Sequence, residues 1–143
     1  MVNLNDYKEY SEELLEVIGA DRLVMVVQEE HLKKRLRDDT GIILAVVYPS
    51  IVGTGNADNT RDNNTVLLFV LEYAGKSTMT DSSEFDSYEK LQALAGMIKD
   101  KIIADSDGGH ELMMNLDRTS IEIEPEYNIA GSYNGWLVAF SFE

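Results

Sequence analysis

The chain has 143 residues, of which 26 are acidic and 12 basic, so its formal net charge is −14. A field of this sign repels phosphate backbones and anionic membranes, which disfavours nucleic acid and membrane surfaces as partners. The absence of cysteine excludes disulfides and thiolate-bound zinc. We recognise no signal peptide and no membrane-spanning apolar run, and therefore predict a single cytoplasmic domain over residues 1–143.

The first predicted element is a helix over residues 5–18. Apolar residues recur there at helical spacing. Asp6 and Glu9 have the spacing of a capping box, with Asp in place of the usual Ser or Thr. Gly19 stands where a glycine commonly ends a helix.

Residues 21–37 are open to two interpretations. Residues 23–27 are apolar and rich in β-branched side chains, which favours a strand. Residues 28–37 favour a helix. We predict one helix over the whole segment, because Asp21 could cap it and no turn signal interrupts it.

A long hairpin is predicted next. Residues 42–52 form a continuous apolar run typical of a buried strand, and Pro49 predicts a bulge or strand margin within it. A second strand is predicted over residues 65–73. The intervening residues 53–64 are rich in Gly, Asn and Asp, so they predict a long polar loop.

The last third of the chain predicts a helix and a second hairpin. Residues 83–104 carry one apolar stripe at helical spacing, with Asp81 or Ser82 as the cap. Residues 119–124 and 135–142 alternate as strands, with turn chemistry between them. The sequence therefore predicts an α+β two-layer sandwich. Its antiparallel sheet has about four strands in two hairpins, covered by two to three helices, and it needs no βαβ unit.

No catalytic, cofactor or metal motif is recognised, so we predict a protein that is not an enzyme. His31 and His110 lack zinc-ligand spacing and are interpreted as surface histidines. Two polar segments carry several oxygens of the kind that calcium binds: residues 58–64, and Asp105 with Asp107. Neither fits a calcium-loop pattern, and turns explain both better.

Surface residues therefore supply the predicted interface. Four of the 12 basic residues lie within five positions, 33–37. This basic run is either a solvated helix face or a contact for an acidic neighbour, such as another copy of this chain. Trp136, the only tryptophan, is either a core residue or an interface anchor. The candidate interface residues are Lys33, Lys34, Arg35, Arg37, Asp58, Arg61, Asp62 and Trp136.

The C-terminal segment resembles a known family. Residues 121–128, Ile-Glu-Ile-Glu-Pro-Glu-Tyr-Asn, and residues 135–142, Gly-Trp-Leu-Val-Ala-Phe-Ser-Phe, are similar to the closing hairpin of prophage structural proteins. The order of elements resembles the phage tail-terminator (tail-completion) family. This resemblance implies a small antiparallel sheet against helices, assembly into a ring, and contacts with neighbouring virion proteins.

The sequence leaves three hypotheses for the function of the protein. The first is a phage-derived tail-terminator or neck protein that acts through homo-oligomeric and partner contacts. The second is a cellular adaptor, or an immunity or secretion-accessory protein, that forms a complex with an unrelated partner. The third is an enzyme that uses dispersed carboxylates, which would require a deep pocket holding at least two acids with raised pKa values.

Overall fold

The computed structural model describes residues 1–37, 40–75 and 80–143. These ranges contain three helices and six strands, which follow in chain order: α1 (Leu4–Ile18), β1 (Arg22–Val26), α2 (Glu29–Arg35), β2 (Ile42–Val47), β3 (Ser50–Asn56), β4 (Asn59–Tyr73), α3 (Asp81–Asp107), β5 (Leu116–Ile129) and β6 (Tyr133–Phe142).

All six strands belong to one sheet of order β1-β2-β4-β6-β5, and β3 pairs with β4. β1 and β2 are parallel, and the other pairs are antiparallel. The predicted α+β class is confirmed. The sheet differs in detail from the prediction, since it has six strands where about four were expected, and β1, α2 and β2 form a βαβ unit where none was expected.

The prediction of one helix over residues 21–37 is wrong in its first part. β1 pairs with β2 from Arg22 opposite Ile43 to Val26 opposite Val47. The strand interpretation of residues 23–27 is therefore the correct one, because their apolar and β-branched side chains pack well on a pleated surface. Asp21 does not cap a helix. Its carboxylate accepts a hydrogen bond from the backbone N–H of Ile42 at 2.7 Å and joins the starts of β1 and β2.

Helices cover both faces of the sheet. Alternate residues of β2 and β4 point to opposite faces, because successive side chains of a strand do so. On one face, Leu44 and Leu68 pack with Leu14 of α1 and Ile98 of α3. On the other face, Ile43, Phe69 and Leu71 pack with Leu32 of α2. The short helix α2 therefore adds a partial third layer to the two-layer arrangement that was predicted.

The two long helices have the predicted positions but different caps. The side chain of Asn3, and not a capping box at Asp6, accepts the N–H groups of Asn5 and Asp6 at the start of α1. Gly19 ends α1 in the left-handed conformation, as predicted. Thr80, and neither Asp81 nor Ser82, caps α3 by accepting the N–H of Ser83 at 3.1 Å.

The first hairpin forms as predicted, but its long polar loop does not. β2 ends at Val47, Pro49 lies in the break before β3, and β3 continues the pairing with β4 as far as Asn56 opposite Asn59. Only residues 57 and 58 form the turn. Both faces of this segment meet solvent, so it lacks the apolar alternation by which a sequence indicates a strand.

The closing hairpin is confirmed, and its strands are longer than predicted. β5 and β6 pair from Leu116 opposite Phe142 to Ile129 opposite Tyr133, with two irregularities in register. Asn128, Ala130 and Gly131 have positive φ values near the turn. Gly135 lies inside β6, beside the backbone of Val70 in β4.

Candidate functional site

The most exposed element is a two-stranded ribbon formed by residues 50–63, which we call the ribbon. All seven residues of β3 are exposed, as are residues 59–61 at the start of β4. β6 reaches along β4 only as far as Asn64, which pairs with Phe142. The ribbon therefore extends past the end of the sheet with a strand neighbour on one side only.

The ribbon presents apolar side chains and free backbone edges at the same time. Ile51 and Val52 are 38% and 57% exposed. Because β3 pairs only with β4, its outer edge has no strand partner within the described residues. Unpaired strand edges are templates for pairing with another chain. The ribbon is thus chemically suited to protein contact.

Three of the predicted interface residues belong to the ribbon. Asp58 lies in its turn, where its N–H donates to the Asn56 side chain at 3.1 Å. Arg61 pairs with Glu143 at 3.6 Å, and Asp62 pairs with the amino group of Met1 at 2.5 Å. These two ion pairs connect the base of the ribbon to the residue that follows β6 and to the segment that precedes α1. The carboxylates lie along a strand ladder, and the part of the chain that the structure describes holds no group of three or more His, Cys, Asp or Glu residues placed for a metal ion.

The basic candidates lie elsewhere. Lys33, Lys34 and Arg35 form the last turn of α2, and all three are exposed, as is Arg37. β1 runs toward the ribbon end of the sheet, and α2 returns the chain to the start of β2 at the opposite end. The structure therefore places these four residues on the α2 face, away from the ribbon, and does not gather the predicted candidates into one site.

Trp136 has features of both of its predicted roles. It is half-buried, and its indole N–H donates to the carbonyl of Tyr88 in α3 at 2.9 Å. It also lines a shallow groove with Phe85, Tyr88 and Pro125, which the acids of the first turn of α3 border. Phe85 is 65% exposed. Phe85 and Tyr88 belong to the apolar stripe over residues 83–104, which predicts core positions for both. For Phe85 this prediction is wrong, because the side chain lies at the exposed start of the stripe.

A polar network joins α1 to the end of α3. Tyr10 donates its hydroxyl to Asp105 at 2.8 Å, and Lys101 donates to the same carboxylate oxygen at 2.9 Å. Burial raises the pKa of Asp105, but the hydrogen bonds from Lys101 and Tyr10 outweigh it and hold that pKa below its ordinary value. Burial, together with the bond to Asp105, raises the pKa of Tyr10 far above its ordinary range.

The acids and histidines considered for metals have other contacts. Asp105 and Asp107 belong to the last turns of α3, and Asp107 pairs with Arg118. His31 lies on α2 and accepts the N–H of Val27 at 3.1 Å. His110 lies against Tyr10 of α1, with ring centroids 5.0 Å apart. Because α1 and α2 cover opposite faces of the sheet, the two histidines do not meet.

Comparisons with known protein families, with curated proteins and with solved structures found no match. Although α3 has 27 residues, charged side chains recur along it. No helix in residues 1–37, 40–75 or 80–143 combines the length and the apolar character needed to cross a bilayer.

Proposed function

We propose that this protein is a structural assembly component that binds other copies of itself and neighbouring proteins, in the manner of a phage tail terminator or neck protein. The projecting ribbon is the observation that supports this proposal most. A two-stranded hairpin alone is at best marginally stable in water. A ribbon with exposed Ile51 and Val52 gains burial and backbone pairing when a second chain lies against it.

Charge supports contact between copies. The net charge of −14 means that acidic side chains far outnumber basic ones. The exposed basic residues Lys33, Lys34 and Arg35 lie on the α2 face at the end of the sheet opposite the ribbon. Contact between unlike surfaces at opposite ends of a molecule is head-to-tail, and it closes into a ring when the rotation between copies allows. Opposite charges would orient such an encounter.

The test compares two exposed valines with different surroundings. Val52 of the ribbon is 57% exposed and Val27, after β1, is 63% exposed. We expect light scattering at low salt to detect oligomers of the unaltered chain, and electron microscopy grids to show rings. Val52→Asp should shift the population to monomer because it places a charge in the contact, whereas Val27→Asp should leave it unchanged.

Two results would contradict this assignment. One is a strict monomer at every salt concentration together with grids that show no ring. The other is equal loss of oligomer in the Val52→Asp and Val27→Asp variants, since general charge repulsion would then explain both.

A second candidate function is an adaptor that binds an unrelated protein, and the groove between α3 and β6 favours it. Phe85, Tyr88, Pro125 and Trp136 form an apolar floor, and tryptophan and tyrosine are enriched at binding hot spots. This function predicts a stable 1:1 complex that Phe85→Ala weakens. Neighbouring genes for capsid and tail-tube proteins would support the assembly function, and a neighbouring toxin or secretion gene would support the adaptor.

A further inference from the structure

The groove between α3 and β6 combines aromatic rings with carboxylates. It encloses about 460 Å³, and three aromatic residues, a proline and two acids line it: Phe85, Tyr88, Trp136, Pro125, Asp81 and Glu84. Four of these six belong to α3 at spacings of three and four residues, so they lie on one side of that helix. One side of α3 therefore presents rings and negative charge to the same ligand.

The polar hydrogens of the two larger rings are already bonded within the chain. The indole N–H of Trp136 donates to the carbonyl of Tyr88 at 2.9 Å, and the hydroxyl of Tyr88 donates to the carbonyl of Glu126 at 2.7 Å. The two ring centroids lie 6.3 Å apart at an interplanar angle of 80°, so the rings bound a corner and not a flat surface. These rings therefore offer a ligand their π systems, whose faces carry partial negative charge.

The two acids make the groove attractive to a cation. Within residues 1–37, 40–75 and 80–143, neither Asp81 nor Glu84 makes an ion pair. The N-terminus of α3 contributes roughly half a positive charge, which two carboxylates outweigh. Burial raises the pKa of Tyr88, and the charge of Glu84 raises it further, as expected where a negative potential acts on the ring.

An arginine side chain matches the rings and the acids together. A purely apolar side chain would cover the rings but would take water from Asp81 and Glu84 without replacing their hydrogen bonds, which is unfavourable. The ammonium of lysine is a compact and strongly hydrated charge. The guanidinium of arginine is planar and more weakly hydrated, stacks on aromatic faces and donates in parallel to carboxylates.

We propose that this groove binds an arginine side chain of a partner protein. The guanidinium lies against the rings of Trp136 and Phe85, the carboxylates of Asp81 and Glu84 accept its N–H groups, and its methylene stem lies on Pro125. This inference rests on the adaptor function, for which it names the chemistry of the partner. It does not depend on self-assembly through the ribbon.

The experiment titrates two tryptophan-free peptides into the full-length chain and follows the emission of Trp136, the only tryptophan. One peptide is acetyl-Gly-Gly-Arg-Gly-Gly-amide, and the other has citrulline, a neutral analogue, in place of arginine. We expect a saturable change in emission with the arginine peptide. The citrulline peptide should bind about fivefold more weakly or worse, because it lacks the charge needed for the cation–π contact and for charge-assisted hydrogen bonds.

Two double variants of α3 test the carboxylates with the same change of charge. Asp81→Asn combined with Glu84→Gln should lower affinity for the arginine peptide about fivefold or more, because both charged acceptors are lost. The matched control is Asp86→Asn combined with Glu89→Gln, at exposed positions of the same helix outside the groove. The control should retain affinity within about twofold, as expected for surface charges that make no contact.

A third variant tests the aromatic contact. Phe85 is 65% exposed, so Phe85→Leu removes its ring and keeps an apolar side chain without disturbing the core. Affinity for the arginine peptide should fall about twofold to fivefold, the range expected for an exposed cation–π contact. Thermal unfolding of every variant checks that it remains folded.

Several results would overturn the proposal. They are an emission that does not respond to the arginine peptide, equal binding of the two peptides, unchanged affinity of Phe85→Leu, and equal loss in the groove variant and its matched control. Equal binding of the two peptides would leave the adaptor function standing on apolar contact alone, so the two failures are distinguishable.

Occupation of the groove by a second copy gives a different result. The emission of Trp136 would then change with protein concentration in the absence of peptide, and Lys33→Glu combined with Lys34→Glu would abolish that change. This result would overturn the assignment of the groove to a separate partner.

Discussion

The two halves of β4 belong to one continuous strand and have opposite surroundings. From Leu68 to Glu72, β4 lies between β2 and β6, and most of its side chains are buried against helices on both faces. From Asn59 to Asn63 it pairs with β3 alone and extends beyond the sheet. The comparison teaches that here backbone pairing sets where a strand forms, whereas burial sets which of its residues support the stability of the fold.

The largest expected effect comes from shortening a buried side chain in the central part of β4. An exposed side chain of the ribbon is shortened for comparison. Leu68 is 1% exposed and packs among the core residues on the α1 and α3 face. Leu68→Ala should lower the free energy of unfolding by about 2–5 kcal/mol, because it removes buried methyl groups and leaves a cavity. Val52→Ala in the ribbon should change it by less than about 0.5 kcal/mol. Urea denaturation measures both, and equal losses would contradict the distinction.

Two glycines provide the next comparison. A Cβ on Gly135 would lie 1.8 Å from the carbonyl oxygen of Val70, and one on Gly55 would lie 2.0 Å from that of Asn59. Gly135→Ala should lower the free energy of unfolding by about 1–3 kcal/mol or more, because β6 must move away from β4.

Gly55→Ala should instead act locally, although Gly55 also has a positive φ of 97°. The ribbon can deform without disturbing the core, so global unfolding should be nearly unchanged while amide exchange within residues 50–63 becomes faster. Slower or unchanged exchange in this segment would show that the ribbon is more rigid than its exposure indicates.

A smaller effect is expected at the junction of the two regions. The hydroxyl of Tyr7 donates to the carbonyl of Val47, the last residue of β2, at 2.7 Å. Tyr7→Phe should lower the free energy of unfolding by about 0.5–1.5 kcal/mol. Tyr127→Phe is the control, because Tyr127 is 73% exposed.

The same tyrosine predicts a pH dependence. Burial raises the pKa of Tyr7 above its ordinary value of 10.0. The folded state therefore resists ionisation of Tyr7, and the stability from this group is fully present below pH 10.0 and is lost as pH rises above it. Tyr7→Phe should flatten part of the alkaline fall in urea midpoint. An unchanged alkaline slope would exclude Tyr7 as a contributor.

The smallest effect is expected from Asp105, whose folded pKa lies below its ordinary value of 3.8. Its stabilising contribution is present above that value and is lost as pH falls through the lower, folded pKa. Asp105→Asn should therefore make the acid loss of stability shallower below about pH 4. Asp58→Asn, in the ribbon turn, is the matched control, and acid titration of the unfolding midpoint would show whether the two variants differ.

Sequence patterns predicted the elements whose signals are local. α1 and α3 carry long apolar stripes, and Gly19 marks the end of α1. The closing hairpin alternates apolar and polar residues, so the sequence predicts that it exists but does not predict its length. Residues 23–27 favour a strand locally, but no turn signal separates them from α2, and the pairing with β2 that decides for the strand lies about 20 residues along the chain.

The sequence predicted only part of the candidate surfaces. Asp58, Arg61 and Asp62 were chosen as loop residues, and they lie in the ribbon, whose strands could not be predicted without alternation. The basic run was found from composition, but its position at the opposite end from the ribbon depends on the path of α2. The sequence places Asn64 in a polar loop, as a turn residue or a candidate calcium ligand. Its burial follows from pairing with Phe142, 78 residues away, which sequence alone does not indicate.

The position of Trp136 has a practical consequence. It is the only indole in the chain, and it is hydrogen-bonded to α3 and lies edge-on to Tyr88 at 6.3 Å. Its intrinsic fluorescence therefore reports whether the long helix remains attached to the strands. An emission spectrum that stays constant while complexes form would locate their contacts away from this helix, and a shifted one would bring the groove beside Phe85 into them.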